Sequence, residues 1–169
     1  MNRNNMLTLA TDGSSGNRGM SGWAWVSEQG TYRAGTLASS SILVAELRAI
    51  TEAIEANRSA NRMCVLTDSQ PALSLISETI STGIIRDRHG KPGAKNAAAL
   101  LNRLHWLSRK HVITFEWIKG HAGHPLNSAA DRLAVQARRC AQLGGNPGSM
   151  TAIYNRIVEE TLGQTALAS

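Results

Sequence analysis

The sequence predicts an α/β fold in which a mixed five-stranded sheet, three antiparallel strands and then two parallel ones, is flanked by helices. Residues 7–36 contain three short strand-like segments with close turns between them, which is typical of an antiparallel meander. After them, apolar residues recur at helical spacing in four segments, and two further strand-like runs lie between these segments. The order β-β-β-α-β-α-α-β-α therefore indicates one sheet with helices packed on it.

The three strands of the meander are predicted at residues 7–12, 22–27 and 31–36. The first alternates apolar and polar side chains and runs into a Gly-Ser-Ser-Gly-Asn cluster, so we expect it to end at Asp12. Apolar residues from Leu43 to Ile54 then predict an amphipathic helix with Glu52 on its outer side.

Residues 63–67 form a short apolar run that ends at Asp68, as expected for a buried strand between helices. Pro71 suits the first turn of the next helix. The glycines, proline and basic side chains of residues 86–95 indicate an exposed basic loop. Leucines at residues 100–107 predict a further helix, and residues 112–117 the fifth strand.

The last helix of the sheet domain is predicted to follow Asn127 as its cap, which places Asp131 in its first turn. Residues 144–148 contain three glycines and one proline and indicate a linker. We therefore divide the chain into a catalytic domain at residues 1–143 and a linker with a tail at residues 144–169. The tail is either a helix docked on the core or a mobile, partner-binding segment.

The basic charge of the chain is concentrated in one stretch. The 169 residues contain 18 Lys and Arg against 12 Asp and Glu, a formal net charge of +6. Residues 81–140 hold eleven bases and three acids, so this stretch carries +8 and the remainder −2. Such a concentration favours a polyanionic partner. No apolar run is long enough for a membrane span, and we expect no membrane partner.

Four carboxylates occupy positions that are more typical of a functional site than of a solvated surface. Asp12 and Asp68 follow strands, Asp131 lies on the last helix, and Glu46 falls beside the apolar stripe of its helix. Each alone has an ordinary structural explanation, such as a turn or a helix cap. Converging on one face, the four would repel each other unless divalent cations such as Mg²⁺ were bound.

These residues stand in four motifs that resemble type 1 ribonuclease H, the endonuclease that cuts RNA in RNA–DNA hybrids. The similarity extends over about residues 7–142 and implies a ribonuclease H-like fold. The first three motifs are short, and the fourth, Lys-Gly-His-Ala-Gly-His-Pro, is the most specific. The motifs are Thr11-Asp12-Gly13-Ser14, Ala45-Glu46-Leu47, Thr67-Asp68-Ser69-Gln70, and residues 117–127 followed by Ala130-Asp131.

The resemblance implies that four carboxylates bind two Mg²⁺ ions, for which Mn²⁺ can substitute. One ion would activate the attacking water and the other would stabilise the leaving 3′ oxygen, which gives 5′-phosphate and 3′-hydroxyl ends. His121 matches a mobile-loop histidine that assists proton transfer or product release, whereas we interpret His124 as a loop-packing residue. The expected metal ligands are Asp12, Glu46, Asp68 and Asp131.

The resemblance also implies where the hybrid binds. Asn17 and Gln70 match residues that contact the minor groove, where 2′-hydroxyls distinguish RNA from DNA, and Ser41 matches a phosphate contact. We assign Asn127 to substrate binding as well. The basic protrusion of the family falls at about residues 80–96 and supplies four further substrate contacts, Arg86, Arg88, Lys91 and Lys95.

Two departures from the family pattern bear on affinity. Ile42-Leu43-Val44 stands where many bacterial members carry an Asn-Asn pair that touches the DNA strand, and the protrusion has no tryptophan. Cationic contacts to the phosphates should persist and aromatic ones should not. We therefore expect weaker and more salt-sensitive binding than in members with a Trp-rich protrusion.

Three alternatives stay open at this point. A non-catalytic module that binds hybrid or double-stranded RNA could keep the fold. The same scaffold also occurs in reverse transcriptases, integrases and resolvases, although the start methionine and the lack of a polymerase segment favour a free-standing protein. A zinc site is conceivable from four histidines. We expect a monomeric cytoplasmic enzyme with both cysteines reduced. The four histidines are His105, His111, His121 and His124.

Overall fold

A computed structural model describes residues 6–16, 19–38, 41–85 and 94–166 of the chain. Five strands form one sheet in the order β3-β2-β1-β4-β5. The pairs β1–β2 and β2–β3 are antiparallel, whereas β1–β4 and β4–β5 are parallel. The predicted mixed sheet is therefore confirmed. The strands are β1 (Met6–Ser15), β2 (Met20–Ser27), β3 (Tyr32–Ala38), β4 (Arg62–Thr67) and β5 (Val112–Trp117).

Helices cover both faces of this sheet. One apolar cluster joins Leu9 and Trp23 to the first three helices, and a second joins Ala10 and Ala24 to the last two. Neighbouring residues of a strand face opposite sides, so the alternation of β1 separates the two clusters. The helices are α1 (Ile42–Ala56), α2 (Gln70–Thr82), α3 (Ala94–Ser108), α4 (Pro125–Gln142) and α5 (Thr151–Ala166), with a short 3₁₀ helix at Pro147–Met150.

The predicted end of the first strand at Asp12 is wrong. The strand β1 continues through Gly13 and Ser14 to Ser15, where it pairs with Ser21. Glycine and serine favour turns locally, but here the register with β2 continues the ladder past them. Asp12 consequently lies within a strand, on the same face as Ala10, instead of in a turn.

The beginnings of the later helices also differ from the sequence predictions. Helix α4 begins at Pro125 after His124, so Asn127 is not its cap and Asp131 lies in its second turn, not its first. Proline is favoured at the first position of a helix, which explains the earlier start. Helix α3 begins at Ala94, so Lys95 is helical and not part of a loop. Glu52, predicted on the outer side of α1, is 8% exposed and pairs with Arg33 and Arg48.

The tail forms the helix α5, which packs against α4. Tyr154, Ile157 and Val158 are buried in the cluster that also contains Leu133. The division of the chain at residue 143 stays a prediction. Both cysteines, Cys64 and Cys140, are free and buried. Within the described residues, no helix is both long and apolar enough to cross a membrane.

Candidate metal centre

Three carboxylates meet at the carboxyl end of β4. Asp12 comes from β1, Glu46 from α1, and Asp68 directly follows β4. Each offers an oxygen atom, and the three oxygens lie within 4.8 Å of one another. Asp12 is 6% exposed and Glu46 5%, whereas Asp68 is half-buried. Asp12 and Glu46 are thus enclosed by protein, and Asp68 lies at the border with the solvent.

The close approach of β1 to α1 places Glu46 beside Asp12. A Cβ atom on Gly13 would lie 2.7 Å from the backbone nitrogen of Glu46, so only glycine allows this approach. The backbone N–H of Gly13 donates a hydrogen bond to the Glu46 carboxylate. The Asp-Gly sequence in the first motif therefore has a structural reason: the aspartate supplies an oxygen and the glycine makes room for the glutamate.

Asp131 reaches the same centre from α4. Its carboxylate lies near Asp12, on the face of the sheet that α4 covers, and would accept a hydrogen bond from a protonated Asp12. Its negative charge also acts on Asp12. The structure therefore brings together all four of the carboxylates expected from the sequence, three of them as a tight cluster and Asp131 alongside through Asp12.

Burial and mutual repulsion favour the protonated forms of the two enclosed groups. Burial, and next the charge of Glu46, raise the pKa of Asp12 to about 9. Burial, and next the charge of Asp68, raise the pKa of Glu46 to about 8, although the Gly13 N–H opposes this rise. The centre thus holds more negative charge than its protein surroundings can neutralise.

The donor set fits a hard divalent cation. All of the oxygens belong to carboxylates, which Mg²⁺ and Mn²⁺ prefer over nitrogen or sulfur. One oxygen of Glu46, Oε2, is buried and has no hydrogen-bond partner. A buried carboxylate oxygen without a partner is costly, and a cation would satisfy it. A divalent cation site is therefore the arrangement that these residues support.

Asp68 is held from three sides. The indole N–H of Trp117 donates to its backbone carbonyl at 3.2 Å, and the amide of Asn127 donates to its Oδ2 at 3.5 Å. A Cβ atom on Gly120 would lie 2.5 Å from the same Oδ2, so the loop passes directly over the carboxylate. The fourth motif thus fixes the third carboxylate as well as supplying the loop.

His121 lies in that loop with its side chain exposed. Its φ angle is +54°, and it is the one non-glycine residue with positive φ within the described part of the chain. Such a backbone is uncommon for histidine and is frequent at functional sites. The neighbouring Gly123 also has positive φ, at +81°, which completes the sharp bend of the loop.

Comparison with known proteins identifies the family of the chain. The RNase H family model matches residues 4–139. This chain belongs to the ribonuclease H family. It is 34% identical over 139 residues to a ribonuclease H of Tropheryma whipplei strain Twist, covering 79% of this chain and 85% of that protein.

Two further relatives cover similar shares. A ribonuclease H of Maricaulis maris strain MCS10 is 37% identical over 142 residues, which is 76% of this chain and 90% of that protein. A ribonuclease HI of Caulobacter vibrioides strain ATCC 19089 is 34% identical over 141 residues, which is 80% of this chain and 94% of that protein. The expected ribonuclease H activity, endonucleolytic cleavage of RNA–DNA hybrids, is thus confirmed at the level of the family, and the family implies dependence on a divalent metal.

The substrate-binding residues expected from the sequence are only partly within the described structure. Ser41 is the N-cap of α1 and accepts from the Val44 N–H at 3.4 Å, and Gln70 is exposed at the start of α2. Both stand at helix N-termini that border the carboxylates, where anions are favoured. Several expected contacts lie outside the described residues: Asn17, Arg86, Arg88, Lys91 and the side chain of Lys95.

Asn127 was expected to bind substrate, but its side chain is 4% exposed and donates to Asp68. No local sequence pattern predicts this contact, because it joins residues that are far apart in the chain. Trp117 was likewise inside a recognised motif without an assigned role. The histidine zinc site is not found: within the described residues, the grouping of three or more metal-capable side chains is that of Asp12, Glu46 and Asp68.

Replacing Asn127 by alanine should weaken the metal centre. The carboxylate of Asp68 would lose its amide donor and reorient, and loss of such an outer contact typically costs about 10–100-fold in metal affinity or activity. We expect a lower kcat and a higher Mg²⁺ concentration for half-maximal activity, measured by titration of Mg²⁺. The matched control is Asn57→Ala, which removes an amide that donates to Ala53 at the far end of α1. Equal Mg²⁺ dependence of the two variants would contradict the role of Asn127.

Proposed function

We propose that the chain hydrolyses the RNA strand of RNA–DNA hybrids with two Mg²⁺ ions and leaves 5′-phosphate and 3′-hydroxyl ends. The observation that carries this proposal is the enclosed carboxylate centre of Asp12, Glu46 and Asp68, which Asp131 joins. Its formal charge of about −4 matches two divalent cations. We also propose that the protein is a monomer, that it is cytoplasmic, and that residues 1–143 form its catalytic domain.

The four carboxylates would hold the metal, and their different depths suggest different tasks. When bound, a pair of divalent ions supplies positive charge to both the attacking and the leaving oxygen of an in-line displacement. The enclosed Asp12 and Glu46 fix the floor of the centre, and Gly13 holds Glu46 in place. Asp68 faces the solvent border, where a scissile phosphate would arrive, and Asn127 and Trp117 orient it.

His121 is proposed to move a proton at the leaving oxygen or to assist product release. Its exposed imidazole projects from the loop that crosses Asp68, and a histidine exchanges protons readily near neutral pH. We expect His121→Asn to lower kcat by about 10²-fold, since general acid–base groups contribute about that much. Asparagine tolerates positive φ, so the loop should keep its shape. The measurement is kcat alongside an unfolding curve, and an unchanged kcat would contradict the assignment.

The substrate contacts are proposed on both sides of the centre. Ser41 would bind a phosphate of the DNA strand at the start of α1, and Gln70 and Asn17 would contact the minor groove. Ile42 is exposed and follows Ser41, so the side-chain amide contact of other members at that position would be either absent or supplied by backbone N–H groups. The bases of the protrusion, Arg86, Arg88, Lys91 and Lys95, would neutralise phosphates and make the affinity dependent on salt.

A substrate panel tests the proposed activity. The full chain is incubated in Mg²⁺ with a labelled RNA–DNA hybrid, and in parallel with RNA alone, DNA alone and an RNA duplex. We expect cleavage of the RNA strand in the hybrid alone, with 5′-phosphate ends. The alternative, a non-catalytic module that binds hybrid or double-stranded RNA, predicts binding without cleavage in either Mg²⁺ or Mn²⁺.

A further inference from the structure

A groove between α4 and α5 begins at the metal centre. It has a volume of about 440 Å³, and Asp131 is one of its lining residues. Asp131 also contacts Asp12, so the groove and the carboxylate centre share a side chain. Any chain of phosphates that leaves the centre along α4 would enter this groove directly.

Arginines dominate the lining. Arg132 and Arg139 come from α4, and Arg156 comes from α5. The carboxylate of Glu160 accepts from Arg132 at 2.8 Å and from Arg156 at 2.7 Å, which fixes both guanidinium groups. Arg139 is exposed and has no ion-pair partner among the described residues. The groove therefore contains three guanidinium groups and one carboxylate of its own, that of Glu160, because Asp131 belongs to the metal centre.

The dimensions of the groove suit an extended polyanion better than a small ion. The nine residues from Asp131 to Arg139 span about 12 Å of helix. At about 3.4 Å per nucleotide of a duplex strand, this length corresponds to three or four nucleotides. Guanidinium groups bind phosphates through two parallel hydrogen bonds. Ile153 and Ile157 add apolar surface to the wall, which offers no polar group that would compete with a phosphate for the arginines.

The helix α5 supplies one wall of this groove and lies beyond the residues 4–139 that the family model matches. We propose that the groove binds the phosphodiester backbone of the hybrid, three to four nucleotides to one side of the scissile bond. This inference rests on the proposed function, since it assumes that a hybrid lies across the carboxylate centre. It assigns to the tail a part in substrate binding, with Arg139 and Arg156 as the backbone contacts.

Binding of a labelled hybrid tests the proposal without cleavage. The full chain carries Asp68→Asn to prevent hydrolysis, and fluorescence anisotropy is measured over a range of salt without divalent ions. Adding Arg139→Gln, or separately Arg156→Gln, should raise Kd about three- to tenfold and reduce the slope of log Kd against log salt by about 1. The control is Arg58→Gln, because Arg58 is an exposed arginine that lies before β4, at the opposite end from Asp68. It should change neither quantity.

The outcomes separate the groove from the proposed activity. If either groove variant behaves like Arg58→Gln in both Kd and salt slope, the groove does not bind the backbone and the inference is overturned. Cleavage of the hybrid by the wild-type chain in Mg²⁺ is scored separately. Cleavage without an effect of Arg139 would reject the groove and keep the enzyme, whereas an effect of both arginines without cleavage would keep the groove and reject the enzyme.

Discussion

Glu46→Gln should lower kcat for hybrid cleavage by at least about 10³-fold. The substitution keeps the size and shape of the side chain but removes a carboxylate whose oxygen lies within 4.8 Å of oxygens of Asp12 and Asp68. Loss of one carboxylate from a two-metal centre forfeits several kcal/mol of transition-state stabilisation, and each tenfold of rate corresponds to about 1.4 kcal/mol. The measurement is a single-turnover rate in saturating Mg²⁺, so that weaker substrate binding does not enter.

A second buried glutamate of the same helix provides the control. Glu52 lies on α1 at 8% exposure, but its carboxylate pairs with Arg33 and Arg48 instead of facing the other acids. Glu52→Gln should therefore cost some stability and leave the single-turnover rate within about threefold of the wild type. If both variants lost the rate equally, the loss would come from general damage to α1, and the metal assignment of Glu46 would fail.

Asp12→Asn should stabilise the metal-free protein at high pH while removing its activity. The pKa of Asp12 is raised to about 9 in the folded chain by burial and by the neighbouring carboxylates, against an ordinary value of 3.8. A carboxyl group whose pKa is raised on folding binds its proton more tightly in the folded state. Its contribution is full below about pH 4 and is lost as the pH rises through 9. Glu46, with its pKa raised to about 8, behaves in the same way.

Asp12→Asn is therefore expected to raise stability at high pH and to abolish activity. At pH 5 Asp12 is protonated in the folded wild type and ionised only in the unfolded chain, so asparagine should raise the free energy of unfolding less than it does at pH 9. At pH 9 the variant should be more stable by about 1–3 kcal/mol, because one buried charge and its repulsions are gone. Denaturant unfolding with a chelator present measures both values. A variant that is less stable than the wild type at pH 9 would show that the carboxylates do not repel each other.

Divalent cations should reverse this order. Adding Mg²⁺ at pH 9 neutralises the wild-type centre and should raise its unfolding temperature, since a ligand that binds only the folded state stabilises it. Asp12→Asn lacks one ligand and should respond less. Removing Asp12 is expected to increase stability because the wild-type site holds like charges close together for its chemistry, which destabilises the folded protein.

Much of this centre could be predicted from the sequence because its residues stand in local patterns. Glu46 was conspicuous as an acid beside an apolar stripe, and Asp68 as an acid that ends a buried strand. Both positions follow from the periodicity of a single element. The fold followed in the same way, since the order of the elements leaves few ways to build one sheet.

The remainder depends on contacts between distant parts of the chain. The continuation of β1 past Gly13 is imposed by its register with β2, against the local preference for a turn. The contact between Asn127 and Asp68 joins residues that lie 59 positions apart. The groove beside Asp131 exists only because α5 folds back onto α4. None of these is visible in a local pattern, because each is decided by packing and not by propensity.

One comparison shows whether these carboxylates hold divalent ions that hydrolyse RNA in a hybrid. A hybrid with labelled RNA is incubated with the full chain and with Asp68→Asn, each in Mg²⁺ and in chelator. We expect the wild type to cleave the RNA in Mg²⁺ and not in chelator, and the variant to be slower in Mg²⁺ by at least about 10³-fold. Cleavage by Asp68→Asn at the wild-type rate, or cleavage that persists in chelator, would contradict this expectation.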